Sequence, residues 1–419
     1  MRRKGVAVLA GALLITGAAS STKAAESEFH GQFRINYYSE SQSEGADTAA
    51  ARLRWRPTWD AKIDEDVKMH MQLNIGHIQG NQSNARYTPN PEDKTGDPAV
   101  AIRHALINFK VREVGGNVVA GLVPVSDKFG DTLFSSDWDF NPLALAYLGK
   151  IGDADIRLAT AKLKEGDTTK YDDLDAHVLD VDVPVGAGSI GASGYRVVAA
   201  GVGKTDIIQN YVGVRASQDI GIAKVNGFIL YNSGTNEATD KDNSGYAIKL
   251  EGIMPVGAAK VGVMFLTASG DKDGKDSFIT PMSLIGHTGY WGYTGKLNVQ
   301  GPTDTGIDAP VNIDGARYSD GSGGGLGMMT LQAKADFPIT EKLSGYAAVG
   351  LFQHQDAPSG KEKNIGTDLY VQGKYNLGKN LNLEAGLDYA MLPKENDATG
   401  NNAKDNNVTL AFARLQLEY

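Results

Sequence analysis

The 419-residue chain contains no cysteine. That excludes disulfide stapling, thiol catalysis, cysteine-bound clusters and self-attached c-type haem. Histidine is sparse: the seven residues are scattered, without helical or short-range metal spacing. Beyond the first fifteen residues no apolar run approaches the ~18 of a membrane-spanning helix. Positive charge is in deficit. Forty-one Lys and Arg oppose 50 Asp and Glu, for a formal charge of −9. Nucleic acid is therefore not an expected partner. No cofactor or metal is expected either, and no enzymatic activity. Gly203-Lys204-Thr205 imitates the end of a phosphate loop, but position 198 is valine where that loop requires glycine. Asp271-Lys272-Asp273-Gly274 hints at calcium without the spacing of a 12-residue calcium loop.

What is present begins with an export signal. MRRKGVAVLAGALLITGAASSTKA has a basic start at Arg2, Arg3 and Lys4, an apolar run, then small residues. Residues 1–24 are predicted to be a cleaved secretory signal peptide. The signal holds four basic residues and no acid, so its removal takes the formal charge from −9 to −13. Residues 25–419 then form a single domain. Glycine is abundant, at 51 residues, which suits tight turns and crowded strand positions.

From Glu28 onward the chain alternates. Phe29, Gly31, Phe33, Ile35 and Tyr37 share one face of a strand; His30, Gln32, Arg34 and Asn36 share the other. Leu53, Trp55, Pro57 and Trp59 oppose Arg52, Arg54, Arg56, Thr58 and Asp60. Val67, Met69, Met71, Leu73 and Ile75 oppose Lys68, His70, Gln72 and Asn74. A period of two marks strands with one oily and one wet face. Short connections fall at 64–66, 113–116, 152–154, 186–188, 219–221, 257–258, 340–342 and 378–380. Long polar ones fall at 41–48, 80–98, 126–141, 165–173, 200–206, 233–243, 270–325, 355–364 and 393–405. Short turns alternating with long loops are the habit of membrane barrels. Eight short and nine long connections join eighteen strands. The predicted fold is all-β: a transmembrane antiparallel up-and-down β-barrel of about 18 strands, with 16 as the alternative. In lipid such a sheet must close on itself.

The last segment, NVTLAFARLQLEY, places Ala411, Ala413, Leu415 and Leu417 against Arg414, Gln416 and Glu418 and ends on Tyr419. An amphipathic final strand with a terminal aromatic resembles the closing strand of Gram-negative outer-membrane barrels. With the loop pattern, the mature chain resembles the outer-membrane porins, best the eighteen-stranded groups. These include sugar-specific, basic-amino-acid-type and alginate-export-like porins; NIGTDLYVQGKYNLGKNLNLEAGLDYAML is similar to a late hairpin of the last. The resemblance implies an outer-membrane location, passive passage of small hydrophilic solutes or ions, and possible homotrimers. It also implies recognition of 407–419 by the barrel-assembly machinery.

A porin selects by narrowing water with charge. Arg52, Arg54 and Arg56 form a same-face ladder, with Arg34 on one neighbouring strand and Lys68 and His70 on the other. Lipid rejects arginine by roughly 2–4 kcal/mol at the midplane, so the ladder is expected to face the lumen. The bland alternative is that these cations pair with acids and only brace the barrel. The third long loop, 126–141, has the position of the inward-folded constriction loop of general porins, although their usual loop signature is absent. It carries Asp127, Asp131, Asp137 and Asp139, and aromatics Phe129, Phe134, Trp138 and Phe140 able to pack inside. Acidic loop against basic wall would form a charged eyelet. The long loop 270–325, with Phe278, Tyr290, Trp291 and Tyr293 among glycines, is a second candidate to fold inward. The competing readings are a plugged barrel that scaffolds or anchors a partner protein, and an outer-membrane hydrolase.

Overall fold

The period-two alternation becomes eighteen strands in the computed structural model. It describes residues 26–43, 47–79, 100–134, 136, 141–164, 173–200, 207–236, 241–271, 276–281, 327–356, 363–392 and 406–419. The strands are β1 (Glu26–Gln42), β2 (Thr48–Lys62), β3 (Val67–Gln79), β4 (Val100–Val111), β5 (Gly116–Leu122), β6 (Leu143–Ile151), β7 (Ala154–Lys164), β8 (Leu174–Val185) and β9 (Gly188–Ala199). They continue as β10 (Ile207–Asp219), β11 (Lys224–Asn236), β12 (Lys241–Val256), β13 (Ala259–Ala268), β14 (Met328–Pro338), β15 (Leu343–Gln353), β16 (Asn364–Gly378), β17 (Leu381–Leu392) and β18 (Asn406–Glu418). Each pairs antiparallel with its neighbours in sequence, and β1 pairs with β18. The sheet is thus a closed barrel with no edge left to pair. The predicted signal, residues 1–24, lies outside the described residues.

The seam is tightly made. The register runs from Gln32 opposite Glu418 to Gln42 opposite Val408. Gly31 donates to the Tyr419 carbonyl at 2.9 Å, and Tyr419 donates back to Gly31 at 3.1 Å. The Tyr419 ring lies 5.8 Å from Phe29, and its hydroxyl accepts from Trp55 Nε1 at 2.6 Å. Glycine is required at 31, because a Cβ there would meet the Arg56 carbonyl oxygen at 2.4 Å.

The two faces differ as the alternation demands. Leu145, Leu158, Val212, Leu250, Leu351, Val371 and Leu387 point outward and are exposed. So wide an apolar belt is untenable in water and is the surface a barrel turns to lipid. Inward, β8 to β11 carry Val178, Tyr195, Tyr211, Phe228 and Leu230, all buried. The main apolar cluster of this protein therefore sits inside the barrel.

One connection departs from expectation. Residues 233–243 were expected to form a long loop; instead β11 runs to Asn236 and β12 starts at Lys241. Asn236 pairs with Lys241. The hairpin projects above the apolar belt, where both faces are polar and the alternation that announces a strand is lost.

Candidate functional site

The site begins with two short strands. β5 and β6 hold 7 and 9 residues, against 17 in β1. The connection 123–142 therefore leaves the wall partway up and turns inward. Its apolar side chains Phe129, Leu133 and Phe134 are buried. Phe129 packs edge-on against Tyr195 of β9 at 6.0 Å and Phe228 of β11 at 5.5 Å, with the Arg215 guanidinium 5.6 Å from its ring. Phe134 meets Tyr195 at 6.0 Å. Gly213 makes room: a Cβ there would come within 2.6 Å of the Phe129 ring. Polar contacts complete the seat. Arg157 of β7 donates to the Ser126 carbonyl at 2.9 Å and to Asp180 at 2.5 Å. Lys128 reaches Asp182 of β8 at 3.7 Å. The loop thus lies along the β7–β11 side of the lumen.

Asp127 ties the loop to itself. One carboxylate oxygen accepts from the Phe129 N–H at 2.5 Å; the other accepts from Leu133 and, at 2.9 Å, from Phe134. Burial pushes its carboxyl up to about 7, while the N–H donors pull the other way. Asp127 is thus buried within the loop it ties together. Asp131 is partly exposed in the left-handed region, at φ 60°. Asp137 and Asp139, like Trp138 and Phe140, lie outside the described residues.

Across the lumen stand the arginines. Arg34 and Arg54 are register partners, and the next pairs along are Gln32 with Arg56 and Asn36 with Arg52. Arg34 donates to Gln416 at 3.0 Å, Arg54 to Gln32 at 2.7 Å and Arg56 to Asn74 at 3.0 Å. Arg414 joins this wall from β18, opposite Asn36, and pairs with Glu384. Lys68 is not with the ladder: it is exposed near the short-turn end of β3, opposite Lys62.

His70 belongs to a chain of contacts that sequence reasoning missed. Asp60 bridges His30 at 2.6 Å and His70 at 2.7 Å. His70 Nε2 lies 3.2 Å from His104 Nδ1, and His104 Nε2 lies 3.0 Å from Asn141 Oδ1 at the loop's far end. Arg103 donates to Gln72 at 2.8 Å and to the Ser136 carbonyl at 2.6 Å. Arg103 and His104 are adjacent yet both turn inward, because the ladder slips by one residue opposite Gln72 and Leu73. The other long loop also enters the barrel at its start. Phe278 is buried 6.4 Å from Tyr211, whose hydroxyl donates to the Ile279 carbonyl at 2.8 Å. Tyr290, Trp291 and Tyr293 lie outside the described residues.

No family model and no curated protein matches the chain. Solved structures do. OccK9 (OpdG) of Pseudomonas aeruginosa superposes with a TM-score of 0.59 at 13% identity, over 94% of this chain and 99% of that one. OccAB1 of Acinetobacter baumannii gives 0.57 at 11% identity, over 94% and 96%. OpdK of P. aeruginosa, solved with vanillate, gives 0.56 at 10% identity, over 94% and 99%. These are Occ/Opd outer-membrane porins of Gram-negative bacteria. The chain has the fold of the eighteen-stranded outer-membrane porins.

Proposed function

We propose that this chain is a passive diffusion channel of the Gram-negative outer membrane for small hydrophilic solutes and ions. Residues 1–24 direct export and are removed, and 25–419 form the barrel. Water fills the bore, and a constriction sets what passes. One lip is the inward loop, with Asp131, Asp137 and Asp139. The other is the wall of Arg34, Arg52, Arg54 and Arg56, with His70 below it and Lys68 at the rim. The carrying observation is the aromatic seat of the loop: Phe129 and Phe134 buried against β9 and β11 inside the barrel. A lid held there narrows the bore and leaves it to the arginine-bearing side. Opposed charges across a narrow gap create a transverse field. The arginine wall favours anionic solutes, sugar acids among them. The OpdK structure, which contains vanillate, a carboxylate, is in line with that class. The strand ending in Tyr419 is read by the barrel-assembly machinery, and the barrels associate as homotrimers.

A second reading has one observation in its favour. The buried segment around Phe278 also occupies the interior, as in a plugged scaffold that anchors a partner. Single-channel conductance of the refolded protein in a planar bilayer, under a salt gradient, separates the two. Steady openings with anion preference are expected of the channel. A folded, heat-modifiable barrel that never conducts overturns it in favour of the scaffold.

A further inference from the structure

The outer face of β7 to β10 interrupts the apolar belt with one polar row. Thr160 stands opposite His177, His177 opposite Arg196, and Arg196 opposite Asn210. All four point away from the lumen, since the alternating residues Ala161, Ala176, Val178, Tyr195, Val197 and Tyr211 are buried inside. Thr160 Oγ1 lies 3.2 Å from His177 Nδ1, and Arg196 Nη1 donates to Asn210 Oδ1 at 3.2 Å. That bond engages one of the guanidinium's five donors. Among the described residues, no carboxylate lies within ion-pair distance of Arg196.

One rung toward the short turns, the row becomes Tyr147, Leu158, Leu179, Gly194 and Val212. Gly194 is a gap in it, next to Arg196. A Cβ built at Gly194 would meet nothing within 4 Å. An open groove of about 680 Å³ runs here, lined by Leu145, Leu158, Leu179 and Val212. One rung toward the loops, Lys162 is already engaged by Asp173 at 2.6 Å and Asp175 at 3.4 Å. Lys162 is thus neutralised, and among the described residues Arg196 is the cation left at the head of the apolar trough.

We propose that this groove holds an acyl chain of a phosphorylated glycolipid of the outer leaflet, with its phosphate on Arg196. The guanidinium's planar fork matches phosphate oxygens, and Asn210 and His177 flank it. The row lies near the loop end of its strands: Asn210 is three residues from the start of β10 and Thr160 four from the end of β7. A charged side chain is tolerated at that level, where the belt meets the headgroups. The assignment to the outer leaflet rests on the outer-membrane orientation proposed above, with long loops outward.

Native mass spectrometry of the full folded chain in maltoside micelles tests this. Bis-phosphorylated lipid A, phosphatidylglycerol and phosphatidylethanolamine are added in parallel. Lipid A should be retained best. R196Q should weaken it about tenfold, the change expected for one lost charge-assisted hydrogen bond. G194W should fill the groove and do the same. Both face away from the bore and should leave conductance unchanged, a control for folding that also tests the channel reading separately. Equal retention by the native chain and both variants overturns the site. Phosphatidylglycerol bound as tightly as lipid A overturns the choice of lipid. A lipid-free oligomer that R196Q dissociates overturns it in favour of a second copy of the chain.

Discussion

Two stretches of the inner wall are built on opposite principles. From β8 to β11 the inward face is treated as a protein core: Tyr195, Phe228 and Leu230 are buried beneath the loop, and Gly213 is hollowed out for Phe129. From β1 to β4 it is treated as a polar lining, where Arg34, Arg54 and Arg56 donate to amide oxygens on neighbouring strands. The same alternation produces both. What differs is whether a segment of chain is available to cover the face. The loop thus fills the interior beside β8 to β11, while the strands β1 to β4 keep a polar inward face.

The largest change is expected from Phe129→Ala. Emptying so buried a site costs about 3–5 kcal/mol, and the loop should leave the β9–β11 wall. Conductance should rise clearly while the folded barrel persists on a gel. Unaltered conductance would mean that the two stretches do not differ in openness. Arg54→Glu comes next. It reverses one charge on the polar stretch, and the reversal potential in a salt gradient should move toward cation preference. If the potential stays put, that wall is bracing and not selecting.

Arg103→Ala should act more gently. It removes the tether to the Ser136 carbonyl, a bond whose loss costs about 1–3 kcal/mol. More flicker at unchanged selectivity is the expected record; an unchanged trace would mean that the aromatic seat and the contacts of Arg157 and Lys128 hold the loop without it. The smallest effect concerns pH. The Asp127 carboxyl is raised from 3.8 to about 7 in the folded loop. Its stabilising contribution is therefore complete below about pH 4 and is lost as pH rises through about 7. Flicker should grow from pH 5 to pH 8, and Asp127→Asn should flatten that trend.

Much of the barrel is legible in the sequence, and the failures share a cause. Strands with one lipid face announce themselves: Phe29 to Tyr37 and Leu53 to Trp59 alternate without error, so the placement of Arg34, Arg54 and Arg56 on one side follows from counting. Counting fails where the ladder slips. Arg103 and His104 are neighbours, and period two sends only one of them inward; the bulge sends both. It fails again above the membrane, at 233–243, where no oily face exists. Inside a loop there is no period at all. Asp127 looks like any acid in a polar stretch, and its partners, the Phe129, Leu133 and Phe134 N–H groups, converge only after the loop has folded.

The brevity of β5 and β6 has a further consequence. A strand of seven residues extends about 23 Å along its own axis, and less along the barrel axis once tilted. The lipid-facing belt of a barrel is about 25 Å tall, so the wall is low at this pair of strands. Among the described residues, the ladder beyond Leu122 gains one backbone bond, from Val123 to Pro142 at 3.0 Å, as the chain turns away. Height of rampart and reach of lid are drawn from one fixed length of polypeptide. Each residue moved from lid to rampart would raise that strand by about 3.3 Å and take one residue from the span that reaches Phe228. A lineage adjusting its gate by sliding this boundary would thus also be reshaping how the surrounding bilayer meets the protein.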